Sequence, residues 1–118
     1  MNAASEKTVE YGEDVGAVLA ALADPTRREL LGVLLHAGRA SATTLAGRLP
    51  VSRQAVTRHL QILAAADLVE GVRVGREVLY SVSPNSLNSS AGWLADMAHR
   101  WDRRLESLKR AAEQATSD

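Results

Sequence analysis

From Ser52 the chain runs SRQAVTRHLQILAAADL, and its polar residues Ser52, Arg53, Gln54, Thr57, Arg58 and Gln61 alternate with Val56, Leu60 and Leu63. The apolar three recur at i, i+4 and i+7, the spacing that turns one side of a helix toward a core. The opposite side is then a row of hydrogen-bonding groups, and an α-helix of that width fits the major groove of B-DNA. The residue types suit that task. Arg pairs with guanine and Gln with adenine through two hydrogen bonds, and Arg53 and Gln54 stand at the helix start, where a reading helix meets base edges. Ser52 and Thr57 suit phosphate contacts, and Arg58 suits either kind. His59, next to core Leu60, reads as a structural histidine. An ordinary solvated polar face is the plain alternative for any isolated helix, so the surrounding elements decide.

Those elements form a consistent frame. Ser41 is a helix N-cap, Leu45 and Leu49 follow on the inward side, and Pro50 is expected to end that helix. Val51 and Ser52 alone would then separate it from the next, a connection short enough to force the sharp angle of a helix-turn-helix. After Ala66 the period changes. LVEGVRVGREVLYSVS carries Val69, Val72, Val74, Val78, Tyr80 and Val82 around Gly75, which predicts a two-stranded β-hairpin with Arg73 and Arg76 at its tip. There they reach the sugar-phosphate backbone or minor groove, or merely keep the hairpin soluble.

Upstream, a helix over Asp14 to Ala23 presents Val15, Val18, Leu19 and Leu22, and Asp24-Pro25 starts the next as N-cap and first residue. That second helix buries Leu30, Leu31, Leu34 and Leu35, stops at Gly38, and leaves Arg27 and Arg28 equally suited to phosphate or to an internal salt bridge. PNSLNSSAG reads as a turn-rich connector, and a last helix over Ala91 to Gln114 carries Leu94, Met97, Trp101, Leu105, Leu108 and Ala112 at 3-4-4-3-4 spacing. So long an apolar stripe exceeds what one small core absorbs, which points to helix–helix packing with a partner subunit. Trp93 and Trp101 belong with that seam rather than with a ligand cage. The expected organisation is a flexible arm over 1–12, one DNA-binding and dimerisation domain over 13–114, and a flexible tail over 115–118.

Composition bounds the rest. The 118 residues are 46% hydrophobic and 3% aromatic with no Phe, so the core is built from Leu, Val and Ala. Formal net charge is zero, but residues 1–24 carry five acids and one base while residues 48–76 carry five bases and two acids. The basic excess lies on the reading segment, where phosphate attraction needs it. Zero cysteines exclude disulfides and thiolate metal ligation. His36, Asp96 and His99 are the only case for a metal, and they fall short of a ligand set, so no metal or cofactor is expected. No apolar run reaches the roughly 18 residues of a membrane span, and the acidic N-terminus is unlike a signal peptide, which suggests a cytoplasmic protein. Neither a nucleophile–base arrangement nor a phosphate-cradling glycine motif is present, so an enzyme is not expected.

Three stretches, ALADPTRRELLGVL, LAGRLPVSRQAVTRHLQILAAADLV and GREVLYSVS, in this order and spacing, resemble the ArsR-type winged helix-turn-helix repressors of bacteria. The likeness covers roughly residues 15–83, and the tail WLADMAHRWDRRLESLKR is similar to the last helix of metal-independent, autorepressor-like members. The resemblance implies a mainly α fold of about five helices plus a hairpin wing. It further implies a homodimer joined through first and last helices (Val15, Val18, Leu19, Leu94, Met97, Trp101, Leu105, Leu108) that binds a palindromic double-stranded operator and represses transcription. Metal-sensing members carry a cysteine box on the third helix, where this chain has Ser41 to Ala46. Others carry Asp and His pairs on the last, where it offers only Asp96 and His99. Asp67 stands where Gly is common, a change that Asp, tolerant of left-handed backbone, accommodates. Two other readings compete: a winged-helix module that binds protein with the same face, and a repressor released by a small organic inducer.

Overall fold

A computed structural model of the chain describes residues 15–117, so the arm expected over 1–12 lies outside the described residues. The order is α1 over 15–22, α2 Pro25–Ala37, α3 Ala42–Ala46, α4 Arg53–Ala65, β1 Val69–Val74, β2 Glu77–Val82 and α5 Asn85–Ser117. This is a winged helix-turn-helix, mainly α, with one two-stranded antiparallel hairpin.

Local chemistry sets most boundaries. Asp24 caps α2, its carboxylate accepting from the amides of Thr26 (2.8 Å) and Arg27 (3.2 Å), with Pro25 as first residue. Gly38 ends the helix at φ 83. Ser41 caps α3 and Ser52 caps α4 through the Thr44 and Ala55 amides. Leaving α4, Leu68 N–H donates to the Leu63 carbonyl and Asp67 N–H to that of Ala64, with Asp67 at φ 57. That is a Schellman closure, completed by apolar Leu68 and Leu63, both fully buried. Asp67 thus takes the left-handed conformation expected of it and turns the chain from α4 into β1.

The core joins Val18 and Ala21 of α1, Leu30, Leu31 and Leu34 of α2, Leu45 of α3, and Val56, Leu60 and Leu63 of α4 to Ala66, Leu68 and Val69. Full burial of each leucine contributes about 1.5–3 kcal/mol, and five of the six core leucines of α2, α3 and α4 are at 0% exposure, so α4 is held firmly from behind. In the hairpin Val74 pairs with Glu77 across the two-residue turn Gly75-Arg76. Gly75 has φ 64, a left-handed entry that glycine adopts freely. An isolated bridge, with Ala40 and Tyr80 exchanging both backbone hydrogen bonds (3.0 and 2.8 Å), ties the hairpin to the α2–α3 link.

Four expectations are corrected. First, α3 ends at Ala46, not at Pro50, leaving residues 47–52 as the turn. Proline pushes Leu49 out of helical backbone and clashes with the carbonyl four residues back, so its effect is felt before it arrives. Leu49 still packs on the core. Second, α5 starts at Asn85, so PNSLNSSAG is mostly helix. Pro84 provides the first carbonyl, accepting from Asn88 N–H at 2.8 Å, and Ser86 and Ser90, four apart, are buried. Third, Leu35 is 64% exposed, because it falls about 100° round the helix from the centre of the Leu30, Leu31 and Leu34 stripe. Fourth, Val15 and Val18, expected at a subunit seam, are taken into the chain's own interior, while Leu19 stays 44% exposed.

The 33 residues of α5 extend about 50 Å and make no close backbone approach to α2, α3, α4 or the hairpin. The molecule measures 74 × 41 × 20 Å with a radius of gyration of 20.1 Å, against about 13 Å for a compact chain of this length. None of the described helices is long and apolar enough to cross a membrane.

Candidate nucleic-acid interface

The N-terminal turn of α4, the N-terminal turn of α3 and the hairpin converge on one groove of about 270 Å³ lined by Ser41, Ala42, Thr43, Arg53, Thr57, Arg76, Glu77, Val78 and Tyr80. Of the residues singled out above, it therefore brings Arg53, Thr57 and Arg76 together from two separated segments. Gln54, Arg58 and Gln61 are exposed on α4 beside it, outside the groove lining. Ser52 is exposed at the N-cap; its Oγ accepts from Ala55 N–H at 3.1 Å, which leaves the hydroxyl proton free to donate. Arg73 pairs with Val78 across the hairpin, and directly opposed residues share a face, so Arg73 lies on the side of the sheet that faces the groove.

Packing in the hairpin explains how Arg76 comes to this position. Gly71 opposes Tyr80, and a Cβ on Gly71 would stand 2.9 Å from Val78 Cγ1 and 3.0 Å from Tyr80 Cε1. The aromatic ring thus occupies the space above the glycine, and Tyr80 is at the same time the residue bridged to Ala40. The sheet is fixed to the helical body at that point, and its turn is carried to α4. Sequence reasoning missed Thr43 and Tyr80 as groove residues. Ser41 was visible only as a cap, and Tyr80 only as a strand former, because their approach to α4 is a long-range contact.

Arg27 and Arg28, left open between phosphate and internal pairing, are engaged internally. Arg27 Nε donates to the Ala21 carbonyl at 2.6 Å and Nη2 to that of Ala20 at 3.3 Å; Arg28 Nη1 donates to that of Leu22. The last carbonyls of α1 have no intrahelical partners, and the two guanidinium groups supply them. Arg27 Nη1 also stands 3.7 Å from Asp24 and 3.3 Å from His59 Nδ1, so His59 has the structural partner anticipated for it.

Desolvation raises the Asp24 pKa, but the amide hydrogen bonds of Arg27 and Thr26 and the positive charge of Arg27 outweigh it and hold the carboxyl below its usual 3.8. A depressed folded-state pKa contributes stability that is present above the unfolded value and lost as pH falls through the folded one. Asp24→Asn keeps the capping oxygen without the charge. Its melting temperature is therefore expected below wild type near pH 6, with a narrower gap at pH 3. Thermal melts at the two pH values check this.

Asp96 pairs with Arg100 at 3.1 Å on α5, and His36 lies on α2. Among the described residues no group of three or more His, Cys, Asp or Glu is placed to hold a metal ion.

The likeness to known proteins agrees with this geometry. A family model described as a helix-turn-helix domain matches residues 22–72. The transcriptional repressor SdpR of Bacillus subtilis (strain 168) is 32% identical over 88 residues, covering 75% of this chain and 97% of SdpR. The HTH-type transcriptional regulator Rv2034 of Mycobacterium tuberculosis is 40% identical over 85 residues, 72% of this chain and 76% of that protein. Among solved structures, an ArsR-like transcriptional regulator from Rhodococcus sp. RHA1 superposes with a TM-score of 0.78 at 46% identity, over 85% of this chain and 93% of that one. With a reading helix, a wing and these relatives in agreement, the chain belongs to the ArsR/SmtB-type winged helix-turn-helix regulators, DNA-binding proteins of transcription and not enzymes.

Proposed function

We propose that the protein acts as a homodimer that represses transcription from a palindromic operator, with α4 of each subunit in a major groove and the hairpin tip on the flanking backbone. The observation that carries the reading is the convergence of Arg53, Thr57 and Arg76 on one groove beside exposed Gln54, Arg58 and Gln61. Guanidinium groups from helix and wing turned to a common side suit the base edges and phosphates that a duplex offers there.

The dimer is supported by α5. Leu94, Met97, Trp101, Leu105 and Leu108 are all exposed, Trp101 at 65%, and one 3-4-4-3 stripe joins them. A second copy related by a two-fold axis covers the same stripe with itself. Symmetric reading helices then meet half-sites roughly 34–36 Å apart. With no cysteine in the chain, thiolate metal sensing is absent from the proposal, and Asp96 and His99 are read as surface residues of α5.

The deciding experiment is a gel-shift titration against the DNA upstream of the protein's own coding region, at several salt concentrations. A salt-sensitive, sequence-selective complex at sub-micromolar protein is expected, and its absence rejects the proposal. Within that assay Arg76→Ala is expected to weaken every duplex alike and to lower the salt slope by about one per subunit, because a lost phosphate contact releases one counterion fewer.

A further inference from the structure

We propose that Arg27 and His59 form a positioning joint that sets the angle at which α4 leaves the body, and so decides how well its far face meets base edges. The proposal rests on the DNA-binding reading above. It starts from one side chain that touches three elements. The Arg27 side chain is 14% exposed; its Nε and Nη2 hold the terminal carbonyls of α1, and its Nη1 lies 3.7 Å from the capping carboxylate of α2 and 3.3 Å from Nδ1 of His59 on α4. A guanidinium only donates, so Nδ1 is the acceptor and the neutral ring carries its proton on Nε2. The planar fork engages these partners together, which a lysine ammonium cannot do with the same geometry.

The joint sits behind the reading face. At 3.6 residues per turn, His59 lies roughly 170° round α4 from the mean direction of Arg53, Gln54, Thr57, Arg58 and Gln61. Its ring therefore makes no contact with DNA docked on that face, and any effect it has on recognition passes through the attitude of the helix. The lever is long enough to matter. Arg53 is six residues away, about 9 Å along the axis, so a tilt of about 5° at His59 shifts it by roughly 0.8 Å, beyond the ~0.5 Å that a two-bond contact tolerates. Phosphate contacts made by flexible side chains absorb such a shift. The joint therefore separates selective from non-selective binding, a distinction that a merely stabilising contact does not make.

The test uses the full chain and two duplexes of equal length, one selected by the wild-type protein from a random pool and one of random sequence. His59→Leu is expected to weaken the selected duplex by about tenfold, the scale of one misaligned two-bond base contact, while the random one stays within about twofold. The salt slope is expected to stay unchanged. In His59→Asn an amide oxygen stands near the place of Nδ1 and accepts from Arg27, so affinity for the selected duplex returns to within about threefold of wild type, since only the ring packing is lost. Arg27→Met, which also releases the α1 carbonyls, is expected to lose at least as much selectivity as His59→Leu, and the double variant to be no worse than Arg27→Met. Equal losses on both duplexes, no loss on either, or an Asn variant as weak as the Leu variant overturns the proposal. Should His59→Leu unfold, the ring nitrogen resonances of wild type and Arg27→Lys answer in its place. An unprotonated Nδ1 that shifts on substitution supports the joint, and one that does not shift overturns it. A wild-type protein that selects no duplex removes the DNA-binding reading itself, a result separate from all of these.

Discussion

Leu105→Glu is expected to yield a monomer that no longer binds the operator. Leu105 lies at the middle of the α5 stripe and is 48% exposed within its own subunit, so the change costs little in an isolated chain. In a symmetric pair the same position is met twice, and each new carboxylate is desolvated against the partner's apolar seam without a partner charge. The penalty falls on assembly rather than on folding, which separates this variant from an ordinary core lesion. Its consequence for DNA is larger than its consequence for stability. A dimer holds its second reading helix at high effective concentration over the second half-site, and uncoupling the two costs about 10²–10⁴ in affinity without touching any DNA contact. Sedimentation should show monomers whose helical circular dichroism is retained, and gel shifts should show only weak, non-selective binding. A variant that still sediments as a dimer would mean that the α5 stripe is not the interface.

How legible this molecule is in its sequence depends on the range of the contacts involved. Asp24, Ser41 and Ser52 announce their helices because a cap is settled within three residues, and Val56, Leu60 and Leu63 announce the buried side of α4 because periodicity is local. The left-handed Asp67 follows from its position just past a helix end. The errors have the opposite character. Serine and asparagine have weak helical preference, so residues 85–90 read as a connector, and only burial of Ser86 and Ser90 makes helix the better state there. Val15, Val18 and Leu19 share one apolar run, yet the first two turn inward and the third outward; a stripe alone does not say which neighbour covers it. Arg27 could not be assigned from its surroundings, since one of its partners, His59, is 32 residues away.

The site divides in the same way. Arg53, Gln54, Thr57, Arg58 and Gln61 share a face because they share a helix, and that was readable from spacing. That Arg76 joins Arg53 and Thr57 at a groove depends on the register Val74 to Glu77, on the Tyr80 ring lying over Gly71 and on the Ala40–Tyr80 bridge. None of these has a local signature. The proposed recognition therefore rests on a helix that the sequence declares and on a wing whose attitude only the fold supplies.

Arg53→Ala separates those two contributions. Arg53 is the first residue of α4 and lines the groove shared with the wing, and in the proposed binding mode its guanidinium meets base edges. A two-bond contact to guanine is worth about 1–3 kcal/mol of discrimination against the wrong base, which is about 5–150-fold per half-site. The variant's loss is therefore expected at one symmetric pair of positions in the operator, and little of it on random DNA. Duplexes selected from a random pool by wild type and by Arg53→Ala should differ by the flattening of that one pair, with the remaining preferences intact. The contrast with Arg76→Ala carries the argument. One variant loses information at constant salt slope, and the other loses salt slope at constant information, because base edges carry sequence and phosphates carry charge. If Arg53→Ala instead weakened all duplexes equally, Arg53 would be a phosphate ligand, and base reading would pass to Gln54, Arg58 and Gln61 farther along α4.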